Sequence, residues 1–417
     1  MPKVQTILFF LIIFQLNCAN GKSTTETTNE QSMPQDSTPN SELIEETPPI
    51  EVGAERLDTY LPKLENKRVG LVVNQSSRLY GTQGPHLVDT LLAAGVQVTK
   101  IFALEHGFRG EADAGATITD GVDDKSGLPI VSLYGQSKEP GAADLADVDL
   151  IVFDIQDVGV RFFTYISHLH YILQGAAKHD TPVMILDRPN PNGHYIDGPI
   201  LDPAFQSFVG MHPVPVVHGM TIGEYGQMIN GRGWLDDGLR AELTVIPCAN
   251  YSHGRRYALP IKPSPNLPNE RSILLYPSLC FFEGTIVSIG RGTDQQFQIY
   301  GHPLLSMGSY IFTPKPGPGS TDPKLNGKSC VGFSLVGQSP ELIRSQGRIN
   351  LNHLLRAYAQ LKDHAFFDRP DFFDLLAGSS QLRQQIESGM SEKDIRAGWA
   401  EGLVDFLQAR EPYLLYP

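Results

Sequence analysis

Apolar residues in the first half of the chain fall in short, nearly unbroken runs: RVGLVV at residues 68–73, VQVTKIFAL at 96–104, IVSL at 130–133, VDLIVFDI at 148–155 and PVMIL at 182–186. Continuous runs of this length are what strands buried on both faces need. Between them the period changes. Residues 85–94 (PHLVDTLLAA) are amphipathic and stop at Gly95, and 164–178 read as a second helix. Strands alternating with helices require parallel crossovers, so the pattern predicts a Rossmann-like, doubly wound, mostly parallel sheet over residues 54–259. From about residue 255 the texture shifts. Residues 260–277 are punctuated by proline, 278–290 form a long apolar run, and 314–323 are rich in Pro and Gly. Residues 351–361 and 391–407 read as helices, which predicts a smaller α/β domain over 260–417. No internal repeat is visible.

The first 53 residues follow different rules. Lys3 precedes the apolar stretch 7–14 (ILFFLIIF), too short to span a bilayer. Leu16 stands two residues before Cys18, as in a bacterial lipoprotein signal. Residues 1–18 are therefore expected to be a signal with Cys18 as its lipid-bearing residue, placing the protein in the bacterial cell envelope. Residues 19–53 are dominated by Ser, Thr, Asn, Glu and Pro and lack the apolar surface to offset ordering entropy, so they are expected to be a disordered tether.

The whole chain has 417 residues, 41% of them hydrophobic, enough for a large core. Its formal net charge of -13, with no basic run, excludes the electrostatic footprint of a nucleic-acid binder. Beyond Cys18, the cysteines Cys248, Cys280 and Cys330 form no C-x-x-C pair and read as buried thiols. The dinucleotide, P-loop, zincin and serine-nucleophile motifs are all absent. His168 and His170, two apart on a helix, cannot share a face to bind a metal.

In open α/β sheets ligands bind beyond the carboxyl ends of the strands. Three polar clusters stand there: Glu105-His106-Gly107-Phe108-Arg109-Gly110-Glu111, then Asp154 to Arg161, then Asp187-Arg188-Pro189-Asn190-Pro191-Asn192-Gly193. The second domain adds Glu283 and Gly290-Arg291-Gly292-Thr293-Asp294. Each has a structural reading. Glu105 could cap a turn and His106 fill the core. Asp154 and Asp157 could hold backbone amides or Arg161, Asp187 and Arg188 could pair, and the asparagines could be turn residues. Carboxylates, one histidine and arginines suit glycoside hydrolysis or general acid–base work.

Six segments carry a closer likeness: VGLVVNQSS at 69–77, FALEHGFRGE at 102–111, DIQDVGVRFFTY at 154–165, LDRPNPNG at 186–193, SPNLP at 264–268 and EGTIVSIGRGTDQQFQIYGHP at 283–303. Together they resemble the bacterial exo-acting β-N-acetylmuramidases of peptidoglycan recycling, over roughly residues 54–417. The resemblance implies a Rossmann-like domain and a smaller C-terminal domain with the active site between them, and release of N-acetylmuramic acid from the non-reducing end of peptidoglycan-derived glycans. It implies no metal and no organic cofactor. Glu105 is then the candidate general acid, since burial at a strand end favours the protonated carboxyl. Glu111, Asp157 or Glu283 would be the second carboxylate, and His106 would tune Glu105. Arg291, or else Arg161, would read the lactyl carboxylate of the sugar. Tyr165, Asn190, Asn192 and Asn266 would hydrogen-bond its hydroxyls or acetamido group, with Asp294 beside Arg291. Two other readings stay open: a lipoprotein that binds muropeptides without cleaving them, and a metal-dependent hydrolase built on His106 and the aspartates.

Overall fold

Side chains along a strand alternate between its two faces, so a strand buried on both sides feeds two separate cores. The first apolar run does this. Val69, Leu71 and Val73 join one core with Ile101, Val152 and Met184, while Val72 joins the other with Phe102, Phe153 and Ile185. A computed structural model describes residues 48–105, 108, 120–135 and 137–417 of the protein. The signal, Cys18 and the tether as far as residue 47, together with His106 and Glu111, lie outside the described residues.

Seven strands build the main sheet: β1 (Arg68–Val73), β2 (Gln97–Ala103), β3 (Gly121–Val122), β4 (Pro129–Ser132), β5 (Leu150–Asp154), β6 (Val183–Leu186) and β7 (Leu243–Ile246). Their order is β3-β4-β2-β1-β5-β6-β7, and every pairing is parallel except β3 with β4. The chain leaves β1 toward β2 and β4, then returns to β5 and works outward through β6 and β7. The sheet is therefore doubly wound, with its switch point between the adjacent strands β1 and β5.

Helices Leu57–Leu64 and Leu87–Ala93 cover one face through Tyr60, Leu64, Leu87 and Leu91. Helices Tyr165–Lys178 and Ile222–Gly231 cover the other through Ile166, Leu169, Tyr225 and Ile229. The second of these starts at a reciprocal cap. The Thr221 hydroxyl accepts from the Glu224 amide at 3.2 Å, and the Glu224 carboxylate accepts from the Thr221 amide at 2.9 Å.

A second, smaller domain follows. Its sheet is antiparallel, β8 (Ile299–His302), β9 (Tyr310–Phe312) and β10 (Cys330–Ser334) in the order β8-β10-β9. Strands of three to five residues leave almost no periodicity, which is why they were invisible in the sequence. The apolar run at 278–290 is instead the end of helix Glu270–Leu279 and a tight 3-10 turn, Cys280–Gly284. Phe281, Phe282, Phe297 and Phe373 there belong to the same core cluster as Phe153 and Ile185 of the main sheet, so one apolar core runs through both domains. The expected helix at 391–407 is two, Glu392–Ala397 and Ala400–Arg410, separated at Gly398-Trp399. Cys248, Cys280 and Cys330 are buried free thiols.

Arg161 was a candidate ligand reader, and the fold uses it otherwise. Its side chain is fully buried. Nη1 donates to the carbonyls of Pro199 (2.8 Å) and Val214 (2.7 Å), and Nη2 to that of Leu376 in helix Pro370–Ala377 (2.9 Å). Burial pushes the guanidinium down to about 9. The side chain ties a loop of the first domain to a helix of the second; its Nε has no partner, but the whole side chain is buried and lines none of the cavities described below. Arg161→Met should strand the Pro199 and Leu376 carbonyls, while that of Val214 keeps the Leu201 amide, and destabilise the protein by about 2–5 kcal/mol, since each orphaned buried group costs roughly 1–3 kcal/mol. Urea unfolding of the two proteins measures this, and an unshifted midpoint would refute the clamp.

Candidate functional site

The switch point forces the tips of β1 and β5 apart in connection but not in space, and side chains lace the gap. After β1, the Asn74 side-chain amide donates to the Tyr165 hydroxyl at 2.9 Å, and the Ser77 hydroxyl donates to the Asp154 carbonyl. The Gln156 amide donates to the Ser76 hydroxyl at 3.1 Å. Behind them Arg188 grips the Asp154 carboxylate with two hydrogen bonds of 2.5 and 2.9 Å, both side chains almost wholly buried. The expected Asp187–Arg188 pair does not form. The Asp187 carboxylate instead accepts from Gly223 N, the Thr221 hydroxyl and the Tyr416 hydroxyl at 2.6–2.8 Å.

On this rigid frame stands a cavity of about 190 Å³ between the domains. The first domain contributes Glu105, Thr164 and Tyr165, and the second contributes Asn266, Glu283 and Arg291. Glu105, two residues beyond β2, is half-buried. The Thr164 hydroxyl donates to its Oε2 at 2.6 Å and the Tyr134 hydroxyl to its Oε1 at 3.1 Å. A hydroxyl donates to a carboxylate and accepts from a carboxylic acid, so these partners can serve both protonation states of a proton-transfer group. Tyr165 accepts from Asn74, which leaves its own proton free to donate into the cavity. Burial raises that hydroxyl well above its ordinary range, so it stays a donor.

Across the cavity, Asn266 donates to the Gly319 carbonyl at 2.7 Å, while its Oδ1 is buried without a hydrogen-bond partner. An unsatisfied buried acceptor facing a cavity suits an incoming N–H or O–H. Glu283 and Arg291 are paired, Oε1 lying 3.1 Å from Nε and 2.5 Å from Nη2. Phe162, Phe163, Tyr276, Phe297 and Phe372 form the apolar wall.

Several sequence candidates fall elsewhere. Asn190 uses its amide on the Met220 carbonyl and its Oδ1 on the Asn192 amide, while Asn192 donates to the Val158 carbonyl. Both are buried props of their loop, and neither lines the cavity. A Cβ at Gly159 would lie 2.1 Å from Asn190, so the glycine there serves packing. Asp294 is exposed and does not reach the cavity. Asp157 is buried off its wall, accepting from Gly159 N at 2.6 Å. Tyr134, Thr164, Asn74 and the aromatic wall were missed. Tyr134 and Asn74 each follow the tip of a parallel strand, β4 and β1, a position that could have singled them out.

Known proteins are similar to this chain. The family model described as exo-beta-N-acetylmuramidase NamZ, N-terminal, matches residues 69–271, and its C-terminal counterpart matches 274–416. Peptidoglycan β-N-acetylmuramidase NamZ of Bacillus subtilis (strain 168) is 34% identical over 396 residues, 88% of this chain and 92% of that protein. Two crystal structures of DUF1343 family proteins from Bacteroides fragilis NCTC 9343 are similar. One has 45% identity and a TM-score of 0.81, the other 27% and 0.74, each covering 88% of this chain and 99% of its own.

Burial pushes the Asp157 carboxyl up from 3.8 to about 7 against the pull of its backbone amides. Between those values the folded chain keeps a proton that the unfolded chain has released, so stability falls as pH rises through the window. Asparagine has no proton to release. The stability of Asp157→Asn relative to wild type should improve by about 2–4 kcal/mol from pH ~4 to ~8, at roughly 1.4 kcal/mol per pKa unit. Denaturant unfolding at several pH values checks it, and parallel curves would show the carboxyl to be unperturbed.

Proposed function

The chain belongs to the exo-β-N-acetylmuramidase NamZ family, and from that membership we propose that the cavity between its domains is where the glycosidic bond is cut. The protein is a glycosidase of the exo-β-N-acetylmuramidase kind, acting on peptidoglycan-derived glycans that carry N-acetylmuramic acid. Glu105 is the general acid. It passes its proton to the bridging oxygen as the bond from that oxygen to the sugar's anomeric carbon breaks. Glu283 is the described carboxylate that shares the cavity with it, and it faces the positive charge that develops at the anomeric carbon. Water supplies the hydroxyl of the released sugar and returns the proton. Tyr165 donates to a sugar oxygen, the orphaned Oδ1 of Asn266 accepts from the acetamido N–H or a hydroxyl, and the aromatic wall packs the apolar face of the ring.

The single observation behind these roles is the placement of Glu105. One carboxyl, buffered by two hydroxyls, enters from the first domain the same cavity that a second carboxyl enters from the other. Glu105→Gln keeps the shape and the hydroxyl contacts but has no proton to give. It should lower kcat on a chromogenic N-acetylmuraminide by roughly a hundred- to ten-thousand-fold with little change in KM. A variant within a few-fold of wild type would remove Glu105 from the mechanism.

The start of the chain supports an envelope location beside the polymer. Lys3, the apolar stretch 7–14 and Cys18 form an export signal of the lipoprotein type, and one acylated residue would tether the enzyme without a spanning helix. Protein made in a bacterial host should enter the detergent phase on Triton X-114 partition, and Cys18→Ala should move it to the aqueous phase. Aqueous partition of both would argue against the anchor.

A further inference from the structure

A muramoyl sugar differs from its glucosaminyl parent by one lactyl carboxylate, so an enzyme selective for it needs a cation with unused capacity. Arg291 has committed two of its three nitrogens already. Its Nε and Nη2 both rest on Glu283 Oε1, and drawing it away would strand a carboxylate that is only 22% exposed. On the far side of this ion pair lies a second cavity of about 150 Å³. Glu283 and Arg291 line both cavities, so the pair is the partition between them. Lys324 and Arg369 also line the second one.

Neither of these two cations has a carboxylate at close range. Lys324 Nζ donates to the carbonyls of Thr285 and Glu283 and lies 3.6 Å from the nearest Asp368 oxygen, a long contact for an ion pair. Burial lowers its proton affinity, a sign of a cation short of compensating charge. Arg369 has no carboxylate partner among the described residues. Its guanidinium lies 4.2 Å from the centre of the Phe372 ring, and Phe372 itself lines the sugar cavity. The wall that packs the sugar therefore also carries the unpaired cation. Around the second cavity three cations face two carboxylates, Glu283 and Asp368, which leaves an excess of positive charge beside a site for a sugar.

We propose that Lys324 and Arg369 form the carboxylate subsite that takes the lactyl group of N-acetylmuramic acid, while Arg291 stays with Glu283. The proposal rests on the main cavity being the sugar site. It divides the labour: Arg291 holds a catalytic carboxylate in place, and selectivity for the muramoyl sugar lies with the pair behind it. A carboxylate meeting a guanidinium and an ammonium forms charge-assisted hydrogen bonds, about twice as strong as neutral ones.

Calorimetric titration of the intact protein with N-acetylmuramic acid, its lactyl methyl ester and N-acetylglucosamine tests this. The wild type should bind the acid at least about ten-fold more tightly than the ester, which keeps the shape and loses the charge. Arg369→Gln and Lys324→Gln should each shrink that preference to about two- or three-fold while leaving ester affinity in place. Variants that keep the full preference would overturn the proposal, as would its loss only in Arg291→Gln. Arg369 is exposed, so its substitution should leave the fold intact and decides the matter if Lys324→Gln fails to fold. Wild-type protein that binds none of the three would instead overturn the sugar site, and this subsite with it. A crystal complex with N-acetylmuramic acid separates the two assignments without substitution. A carboxylate seated between Lys324 and Arg369 supports the subsite, and one seated on Arg291 overturns it.

Discussion

The central strands of the sheet are dry on both faces, and that constraint shapes everything else. Val69, Leu71 and Val73 fill one core while Val72 fills the other, so no central strand has a side free for polar chemistry. Polar groups can gather only where strands end. The winding order then selects which ends. At β1 and β5 the chain departs in opposite directions, so the loops beyond them part and leave a crevice. Glu105 from the tip of β2, Tyr134 from β4 and Thr164 and Tyr165 from beyond β5 converge there because nowhere else in the first domain is open to them. The crevice is half a site. Asn266, Glu283 and Arg291 close it from the second domain, and the apolar core shared by the two domains holds the halves in register.

Rigidity at that border comes from buried charge held by fixed partners. Arg188 on Asp154 and Arg161 on three carbonyls are both desolvated, and removing one partner of such a group leaves the other exposed to the full penalty of burial. Arg161 therefore acts as a clamp rather than a recogniser. The same physics keeps Arg291 on Glu283. A guanidinium that satisfies a half-buried carboxylate with two nitrogens loses more by leaving than Arg369, stacked on a ring and facing water, would lose by turning to a ligand.

Much of the architecture was legible in the sequence. The run at 68–73 is β1, and the other four runs meet their strands to within two residues at each end, because a short apolar run is what a strand in such a sheet needs, although the run at 278–290 shows that a buried helix end can carry one too. Glu105 was legible for a related reason: a carboxylate directly after such a run sits at a strand tip by construction. β8, β9 and β10 were not, since strands this short carry too little run or alternation to stand out. The polar residues of LDRPNPNG misled for a different reason. Asn and Asp suit ligand binding and loop bracing equally well, and only the partners of each atom tell the two apart.

Unused hydrogen-bonding capacity is thus the sharper criterion, and it has to be combined with place. Asn190 has none, since its Oδ1 and amide both serve backbone. Asn192, Asp157 and Asn266 each keep a buried oxygen without a partner. Asn192 faces a different, much smaller cavity beside His194 and Arg344, and Asp157 lines none of the cavities described. Only Asn266 joins an unsatisfied acceptor to the cavity that holds Glu105. An orphaned atom away from open space is strain that the fold tolerates, whereas the same atom on a residue of a cavity wall has space from which a donor can reach it. That distinction separates the residues that build this site from those that would touch the sugar, and residue type alone could not have drawn it.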